Sequence, residues 1–189
     1  IKIENKEKFE ISLKTINNQI NQIENLVNEF SDFARMPKPV YKKNNLKDVI
    51  LLNVELLKKI DKDVNINFNS KVSAIFKFDH DQISRVCFNL IKNAIESLKE
   101  KSNKTSNFVK NIDIEIVDHI DYISLTIIDS GIGFKNIKTS ELTKPYFTTK
   151  TDGTGLGLSI VSKIINDHNG MITFTNLSDG AKVEIKFSK

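Results

Sequence analysis

The chain has 189 residues, of which 39% are hydrophobic and 28% charged, which supplies enough apolar material for a folded core and argues against a disordered chain. A single cysteine excludes an intramolecular disulfide framework and any zinc site built on several cysteines. The net charge of +4 does not indicate nucleic-acid binding, because the basic residues are spread along the chain and form no cluster.

The first predicted element is a long helix with a heptad pattern. Its apolar residues follow one another at alternating steps of four and three: Phe9, Leu13, Ile16, Ile20, Ile23, Val27, Phe30 and Ala34. Nearly four heptads without proline or glycine are typical of a two-helix seam or a helical bundle. The alternative is an amphipathic helix packed on its own domain. Pro37 and Pro39 end the helix, because residues before proline avoid helical backbone.

Beyond the prolines, helical and strand patterns alternate. Three further helices are predicted, over residues 46–60, 79–101 and about 154–168. Thr154 is expected to cap the last of them and Gly170 to end it. Three pairs of alternating strands are each expected to form a hairpin: 64–68 with 74–78, 112–116 with 123–127, and 171–175 with 182–187. This order predicts an α/β two-layer sandwich, with a mixed, mostly antiparallel sheet and helices on one face.

The first candidate functional residues are Asn89 and Asn93, which lie four apart on a predicted helix and therefore share one of its faces. Amide oxygens can ligate a hard cation, and amide NH2 groups can donate to phosphate oxygens. The alternative is a solvated helix face in a chain rich in asparagine. Cys87 is turned away from this face and is predicted to be a small core residue.

A second motif, Asp-Ser-Gly-Ile-Gly at Asp129–Gly133, follows an apolar predicted strand directly. A carboxylate at the end of a buried strand can accept a hydrogen bond from an exocyclic amine. The glycines leave room for a flat ring against the backbone. An ordinary Asp-Ser-Gly turn is the alternative interpretation.

A third motif, Thr148–Ser159, places Gly153, Gly155 and Gly157 at alternate positions before a helix. The first N–H groups and the positive dipole end of a helix favour an anion. Lys150 is the nearby cation best placed to reach a phosphate. The pattern is not the nucleotide-binding P-loop, because no Gly-Lys-Ser/Thr follows the glycines. It predicts a phosphate-binding loop.

In this order the three motifs resemble the N, G1 and G2 boxes of the GHKL ATP-binding domain, the Bergerat-type fold shared by sensor histidine kinases and by gyrase, chaperone and mismatch-repair ATPases. Pro145–Lys150 resembles the F box of the kinases, and the resemblance covers about residues 40–187. Asn28–Pro39 resembles the second helix of the dimerisation domain in NtrY-type nitrogen-regulation kinases. The resemblance implies an incomplete dimerisation helix over residues 1–36 and an ATP-binding catalytic domain over residues 40–189.

The resemblance also implies ATP and Mg2+ as ligands and a role for each matching residue. Asn93 would bind Mg2+ with support from Asn89, and Asp129 would accept a hydrogen bond from the adenine amine. Gly131 and Gly133 would shape the adenine pocket. The other matches would form a mobile lid (Thr148, Thr149 and Lys150) and wrap the phosphates (Gly153, Thr154, Gly155, Leu156 and Gly157).

Two features depart from the family pattern. Many members carry a basic residue three after the second asparagine, where it touches phosphate, but here that position is Glu96. The source of the phosphate-binding charge therefore stays open. No histidine precedes His80, so we expect the phosphoacceptor histidine on a helix before Ile1.

These features predict the catalytic part of a two-component sensor histidine kinase. It would move the γ-phosphoryl group of ATP to a histidine outside this chain and then to an aspartate of a response-regulator receiver domain, as a homodimer formed through the first helix. The alternative is a non-catalytic, dimeric nucleotide-sensing module of the same fold. An ATP-hydrolysing machine is disfavoured, because it needs a general-base carboxylate at about the position of Asn89, and an amide cannot take a proton from water.

Hydropathy also bears on where the protein works. No apolar run approaches the roughly 20 residues that span a bilayer, and the first residues lack the pattern of a signal peptide. We expect this part of the protein to be cytoplasmic and without membrane contact. This expectation is compatible with a membrane anchor elsewhere in the full-length protein.

Overall fold

The computed structural model describes residues 2–70, 72–105, 108–135, 137–150 and 153–189. Residues 106–107 of a predicted loop and 151–152 of the predicted phosphate-binding segment lie outside the described residues. The helices and strands follow in the order α1 (Lys2–Ala34), β1 (Lys42–Asn45), α2 (Leu46–Leu57), β2 (Asn65–Asn69), β3 (Ile75–Phe78), α3 (His80–Ser102), β4 (Asn111–Asp118), β5 (Tyr122–Asp129), α4 (Thr139–Leu142), α5 (Gly157–Asp167), β6 (Gly170–Asn176) and β7 (Ala181–Ser188).

The main sheet has five strands in the order β2-β4-β5-β7-β6. β2 and β4 run parallel, whereas the other three pairings are antiparallel, which confirms the predicted mixed, mostly antiparallel sheet. The parallel pair is connected through α3, as parallel neighbours require, and short turns join β4 to β5 and β6 to β7. Asp129 lies opposite Ala181, so the last residue of β5 is beside the β6–β7 turn.

The first predicted hairpin is wrong, because β3 does not pair with β2. β3 pairs antiparallel with β1 in a separate two-stranded sheet, with Lys42 opposite Phe78. β1 has the sequence Lys-Lys-Asn-Asn, which shows no apolar alternation, so no local pattern identifies it as a strand. Alternation indicates that a segment is extended, but its partner depends on which strand edge the folded chain brings beside it.

Two helices of the domain, α2 and α5, pack against α3. α3 contacts α2, α5, β4 and β5, and its predicted apolar face is confirmed, since Ile83, Val86, Leu90 and Ala94 are all buried. Alternate residues of β7 complete this core: Ala181, Val183, Ile185 and Phe187. Cys87 is buried, which confirms the predicted small core residue, and burial raises the pKa of its thiol to about 12, so the thiol is unreactive.

The ends of α5 differ from the prediction. Its N-cap position is Leu156, which makes no side-chain capping hydrogen bond, so Thr154 does not cap the helix. At the other end Asn169, with a φ of 53°, has the left-handed backbone that we expected at Gly170. Gly170 instead begins β6. Asparagine tolerates left-handed backbone better than most residues, so the helix ends one residue earlier without a glycine.

The first helix extends unbroken from Lys2 to Ala34, as its heptad predicts. Its heptad residues from Phe9 to Phe30 are exposed. Phe33 and Met36, at and just beyond its C-terminal end, pack partly buried against the core of the α/β domain. None of the helices in the described residues is both long and apolar enough to cross a membrane.

Candidate functional site

The site is built on one face of α3. Asn89, Asn93 and Ser97 lie four residues apart and are half-buried, and the adjacent face of the same helix forms the core. We call these three residues the α3 row. Eight residues of helix rise about 12 Å, so the row can contact an extended ligand at three levels.

The Asn89 end of the row meets the start of α5. The Asn89 Nδ2 group donates to the Arg85 carbonyl at 2.9 Å, which leaves the side-chain oxygen toward α5. A Cβ added at Gly157 would lie 3.1 Å from that oxygen, so a glycine lets the two helices approach. Because no side chain caps α5, its first backbone N–H groups are available to an anion.

The middle of the row carries a cation. The Lys150 ammonium group donates to the Asn93 Oδ1 atom at 3.0 Å and also contacts the Glu96 carboxylate. Glu96 lies three residues after Asn93 and therefore on the same side of α3. Two oxygen ligands thus converge on one positively charged group, and oxygen is the donor type that Mg2+ prefers.

The Ser97 end of the row meets Asp129. The Asp129 Oδ1 atom accepts from the Gly131 N–H at 2.9 Å and from the Ser97 hydroxyl at 3.3 Å, and Ser97 Oγ in turn accepts from the Ile132 N–H at 3.0 Å. Among the described residues nothing donates to Oδ2, the second oxygen of this carboxylate. A side chain at Gly131 would overlap Ser97, since a Cβ there would lie 2.1 Å from Oγ.

Burial governs the protonation of Asp129. Its side chain is 7% exposed, and this burial raises the pKa of the carboxyl group above its usual value. The hydrogen bonds from Gly131 and Ser97 act in the opposite direction and offset only part of the shift. A largely buried carboxylate with one oxygen free of donors among the described residues suits recognition of a single N–H group.

Gly133 lies away from the row. It has a φ of 67°, and a Cβ there would lie 2.8 Å from the Gly180 carbonyl oxygen, in the β6–β7 turn. The next residue, Phe134, donates its N–H to Asn176 Oδ1 at 2.7 Å. Gly133 therefore joins the Asp129–Gly133 turn to the β6–β7 turn, while Gly131 packs against the row.

The third motif folds back on itself beside α5. The Lys150 N–H donates to Thr148 Oγ1 at 3.1 Å, and a Cβ at Gly153 would lie 2.5 Å from the same oxygen. Gly155 has a φ of 71° and lies so close to the Tyr146 carbonyl that no side chain fits. The other predicted members occupy three environments: Thr149 exposed, Thr154 half-buried and Leu156 buried.

The C-terminal turns of α1 lie against this motif. The Thr154 hydroxyl donates to the Glu29 carboxylate, and Arg85 forms an ion pair with Asp32 at 3.1 Å. The ring of Phe30 stacks near that of Tyr146, with centroids 6.4 Å apart. The heptad pattern predicted the helix but gave no indication of these contacts.

Sequence reasoning missed Ser97 and left Glu96 without a role. The signal for Ser97 was its position, four residues after Asn93, which continues the stripe of Asn89 and Asn93 by one turn. For Glu96 no local signal existed, since its partner Lys150 is 54 residues away along the chain.

Known proteins resemble this chain in both sequence and structure. The family described as histidine kinase-, DNA gyrase B- and HSP90-like ATPase matches residues 78–189. An NtrY-like protein of Rickettsia felis is 37% identical over 98% of this chain. The chain spans 30% of that protein, so it corresponds to under a third of the relative's length.

Solved structures share the fold. The catalytic domain of histidine kinase ThkA is 28% identical, with a TM-score of 0.67 over 79% of this chain and 96% of that one. ThkA in complex with the response regulator TrrA gives a TM-score of 0.75 at 24% identity, over 92% of this chain and 49% of that one. These likenesses confirm the predicted GHKL fold class. Because the family match covers more than half of its residues, this chain belongs to the histidine kinase-, DNA gyrase B- and HSP90-like ATPase family.

Proposed function

We propose that ATP lies along the α3 row, with adenine at the Ser97 end and the triphosphate at the Asn89 end. Asp129 Oδ2, the carboxylate oxygen without a donor among the described residues, accepts the hydrogen bond of the adenine amine. Ser97 and Gly131 orient that carboxylate through Oδ1. Gly131 also leaves space for the adenine ring, and Gly133 anchors the turn that carries Asp129 and Gly131.

The phosphate end of the site has a donor set that fits Mg2+. Asn93 already binds a cationic group through its amide oxygen, and Asn89 supports the same region from one turn away. No cluster of three or more His, Cys, Asp or Glu side chains occurs in the described part of the chain, so the ion would be shared between these amides and the phosphates. When bound, Mg2+ would neutralise charge on the triphosphate.

The glycine motif provides the remaining phosphate contacts. Gly153, Thr154, Gly155, Leu156 and Gly157 lead into the uncapped start of α5, whose N–H groups favour a phosphate. Thr148, Thr149 and Lys150 form the lid over that end, and Lys150 brings a positive charge that Glu96 cannot provide. We assign no general acid or base, because orientation and electrostatics dominate phosphoryl transfer.

We further propose that the full-length protein is a sensor histidine kinase. The γ-phosphoryl group would pass to a histidine outside this chain and then to the aspartate of a receiver domain, by analogy with ThkA, which assembles with a response regulator. The amide at Asn89 supports transfer over hydrolysis, because an amide cannot deprotonate water. The α3 row, which reaches from an adenine acceptor to a helix N-terminus, is the observation that carries the proposal.

The domain boundaries follow from the same proposal. Residues 1–36 are the dimerisation helix and residues 40–189 the ATP-binding domain. The exposed heptad face of α1 supports dimer formation, since seven large apolar residues from Phe9 to Phe30 would otherwise face water.

Phosphate tracing in the full-length protein tests the kinase. With γ-labelled ATP and Mg2+ we expect an acid-labile, base-stable phosphohistidine that is chased onto an added receiver domain. Asn93→Ala should abolish the label, whereas Asn166→Ala, an exposed asparagine of α5, should retain it. Nucleotide binding without any label would instead support the non-catalytic sensing module.

A further inference from the structure

The Lys150 ammonium group lies where the family resemblance would have a metal ion. It donates to Asn93 Oδ1 at 3.0 Å and forms an ion pair with Glu96. Both contacts use the ammonium group of Lys150, which belongs to the Thr148–Ser159 motif. Lys150 therefore holds the amide oxygen that the proposed function gives to Mg2+.

Two cations cannot share this oxygen at close range, because like charges repel. Lys150 must leave Asn93 before a divalent ion binds there. The displaced ammonium group has an obvious acceptor in the arriving triphosphate, whose charge exceeds that of the single Glu96 carboxylate. Mg2+ thus competes with Lys150 for the Asn93 oxygen, and the triphosphate competes with Glu96 for the Lys150 ammonium group.

We propose that Glu96 is a positioning residue that keeps Lys150 on Asn93 until the metal–nucleotide complex displaces it, and that Glu96 thereby sets the Mg2+ concentration needed for nucleotide binding. The proposal rests on the proposed function. It also accounts for the departure from the family pattern at position 96. Many family members carry a basic residue there, whereas here Lys150 provides the positive charge and Glu96 is its negatively charged partner.

The strength of the pair limits the size of the effect. Both side chains are 36% exposed, so water and salt weaken their attraction. Exposed ion pairs of this kind change an equilibrium by about two- to fivefold. An ion pair of that strength changes the Mg2+ concentration needed for binding but does not prevent nucleotide binding.

The first test is a Mg2+ titration of calorimetric binding of a non-hydrolysable ATP analogue. In Glu96→Gln we expect the Mg2+ concentration for half-maximal binding to fall about two- to fivefold. The matched control is Glu100→Gln, which removes a carboxylate one turn further along α3 that pairs with Lys104 and Lys135. It should leave the Mg2+ requirement unchanged.

The second test asks whether Glu96 acts through Lys150. Lys150→Met should weaken binding of the analogue in the absence of Mg2+ about two- to fivefold, since a phosphate contact is lost. In the Lys150→Met background, Glu96→Gln should give no fall in the Mg2+ requirement.

Several outcomes would overturn the proposal. A fall that persists without Lys150 would mean that Glu96 acts on the phosphates directly. A rise in the Mg2+ requirement of Glu96→Gln would make Glu96 a metal ligand, and an unchanged requirement would give it no role. Failure of the proposed function looks different, because the wild-type chain itself would then bind no nucleotide at any Mg2+ concentration.

Discussion

Two helices of this protein use their apolar residues in opposite ways. Ile91 of α3 is completely buried, whereas Ile20 of α1 is 55% exposed, although both belong to a regular apolar stripe. α3 buries one face in the core, and the polar row of the site lies along the edge of that face. The contacts between α1 and the domain that the structure describes lie near the C-terminal end of the helix, at Glu29, Phe30, Asp32 and Phe33, whereas the heptad residues from Phe9 to Phe30 are exposed.

The difference shows that the spacing of apolar residues predicts a helix but does not predict what packs against its apolar face. The stripe of α3 is covered by strands and helices of the same chain, so the domain is stable through its own core. The stripe of α1 is exposed, and an exposed heptad stripe is typical of a helix that pairs with a second one, which supports the proposed dimer. Mutations in the two stripes should therefore behave differently.

The largest contrast is expected from two matched isoleucine truncations. Ile91→Ala should lower the free energy of unfolding of the domain by about 2–5 kcal/mol, because it leaves a cavity in the core. Ile20→Ala should lower the free energy of unfolding of the α/β domain by less than about 0.5 kcal/mol, because Ile20 lies outside the core of that domain, and its effect should fall on the proposed dimer contact instead. Urea denaturation at one protein concentration measures both. Equal losses would contradict the assignment of the two stripes.

The contrast between core and site is sharpened by Asp129→Asn. In the proposed site, replacing one carboxylate oxygen of Asp129 with an NH2 group should weaken nucleotide binding about 10- to 100-fold, the range expected when a hydrogen bond to a charged group is lost. Calorimetry with the ATP analogue measures the change. Asp113→Asn, a strand aspartate hydrogen-bonded to Asn67 and Asn111, serves as the control and should bind normally.

Asp129→Asn should not destabilise the fold. Burial raises the pKa of Asp129 in the folded state, so the stability that it contributes is fully present at low pH and is lost as the pH rises through that raised value. At neutral pH the carboxylate is therefore unfavourable for folding. Asp129→Asn should unfold at an equal or higher temperature than the wild type. A lower temperature would show that its charge stabilises the domain.

A smaller effect is expected where the linker joins α3. Asp79 caps α3 through the N–H groups of Asp81 and Gln82 and also accepts from Val40 at 2.7 Å. Burial acts to raise its pKa, but these hydrogen bonds outweigh it and lower the pKa overall. Asp79→Ala should lower the free energy of unfolding by about 0.5–2 kcal/mol at neutral pH.

The pH dependence of that loss identifies its origin. Because the pKa of Asp79 is lowered on folding, its contribution is present above the unfolded value and disappears as the pH falls through the folded one. The difference between wild type and Asp79→Ala should thus shrink in acid. A constant difference would assign the loss to packing.

A small effect is also expected at the contact between the two regions. Asp32→Asn removes the partner of Arg85, and since the Asp32 side chain is 61% exposed, the free energy of unfolding should fall by less than about 1 kcal/mol. High salt should remove most of the difference. A larger, salt-independent loss would indicate that α1 and the domain fold as one unit.

Local patterns were enough to predict much of this protein from its sequence. The heptad of α1, the two later hairpins, the amphipathic α3 and the buried Cys87 depend on spacing and hydropathy within one segment, and the structure has all of them. The three polar and glycine-rich motifs could likewise be recognised, because each is a short run whose residue types suit one chemistry.

Long-range contacts decided the rest. β3 pairs with β1 rather than β2, Ser97 reaches Asp129, and Lys150 lies between Asn93 and Glu96. Each of these pairings joins residues at least 30 positions apart, so their meeting depends on how helices and strands pack and not on any local preference. The sequence therefore determined which elements and motifs exist, and only the tertiary structure decided which side chains meet, because packing brings together residues that no periodic pattern connects.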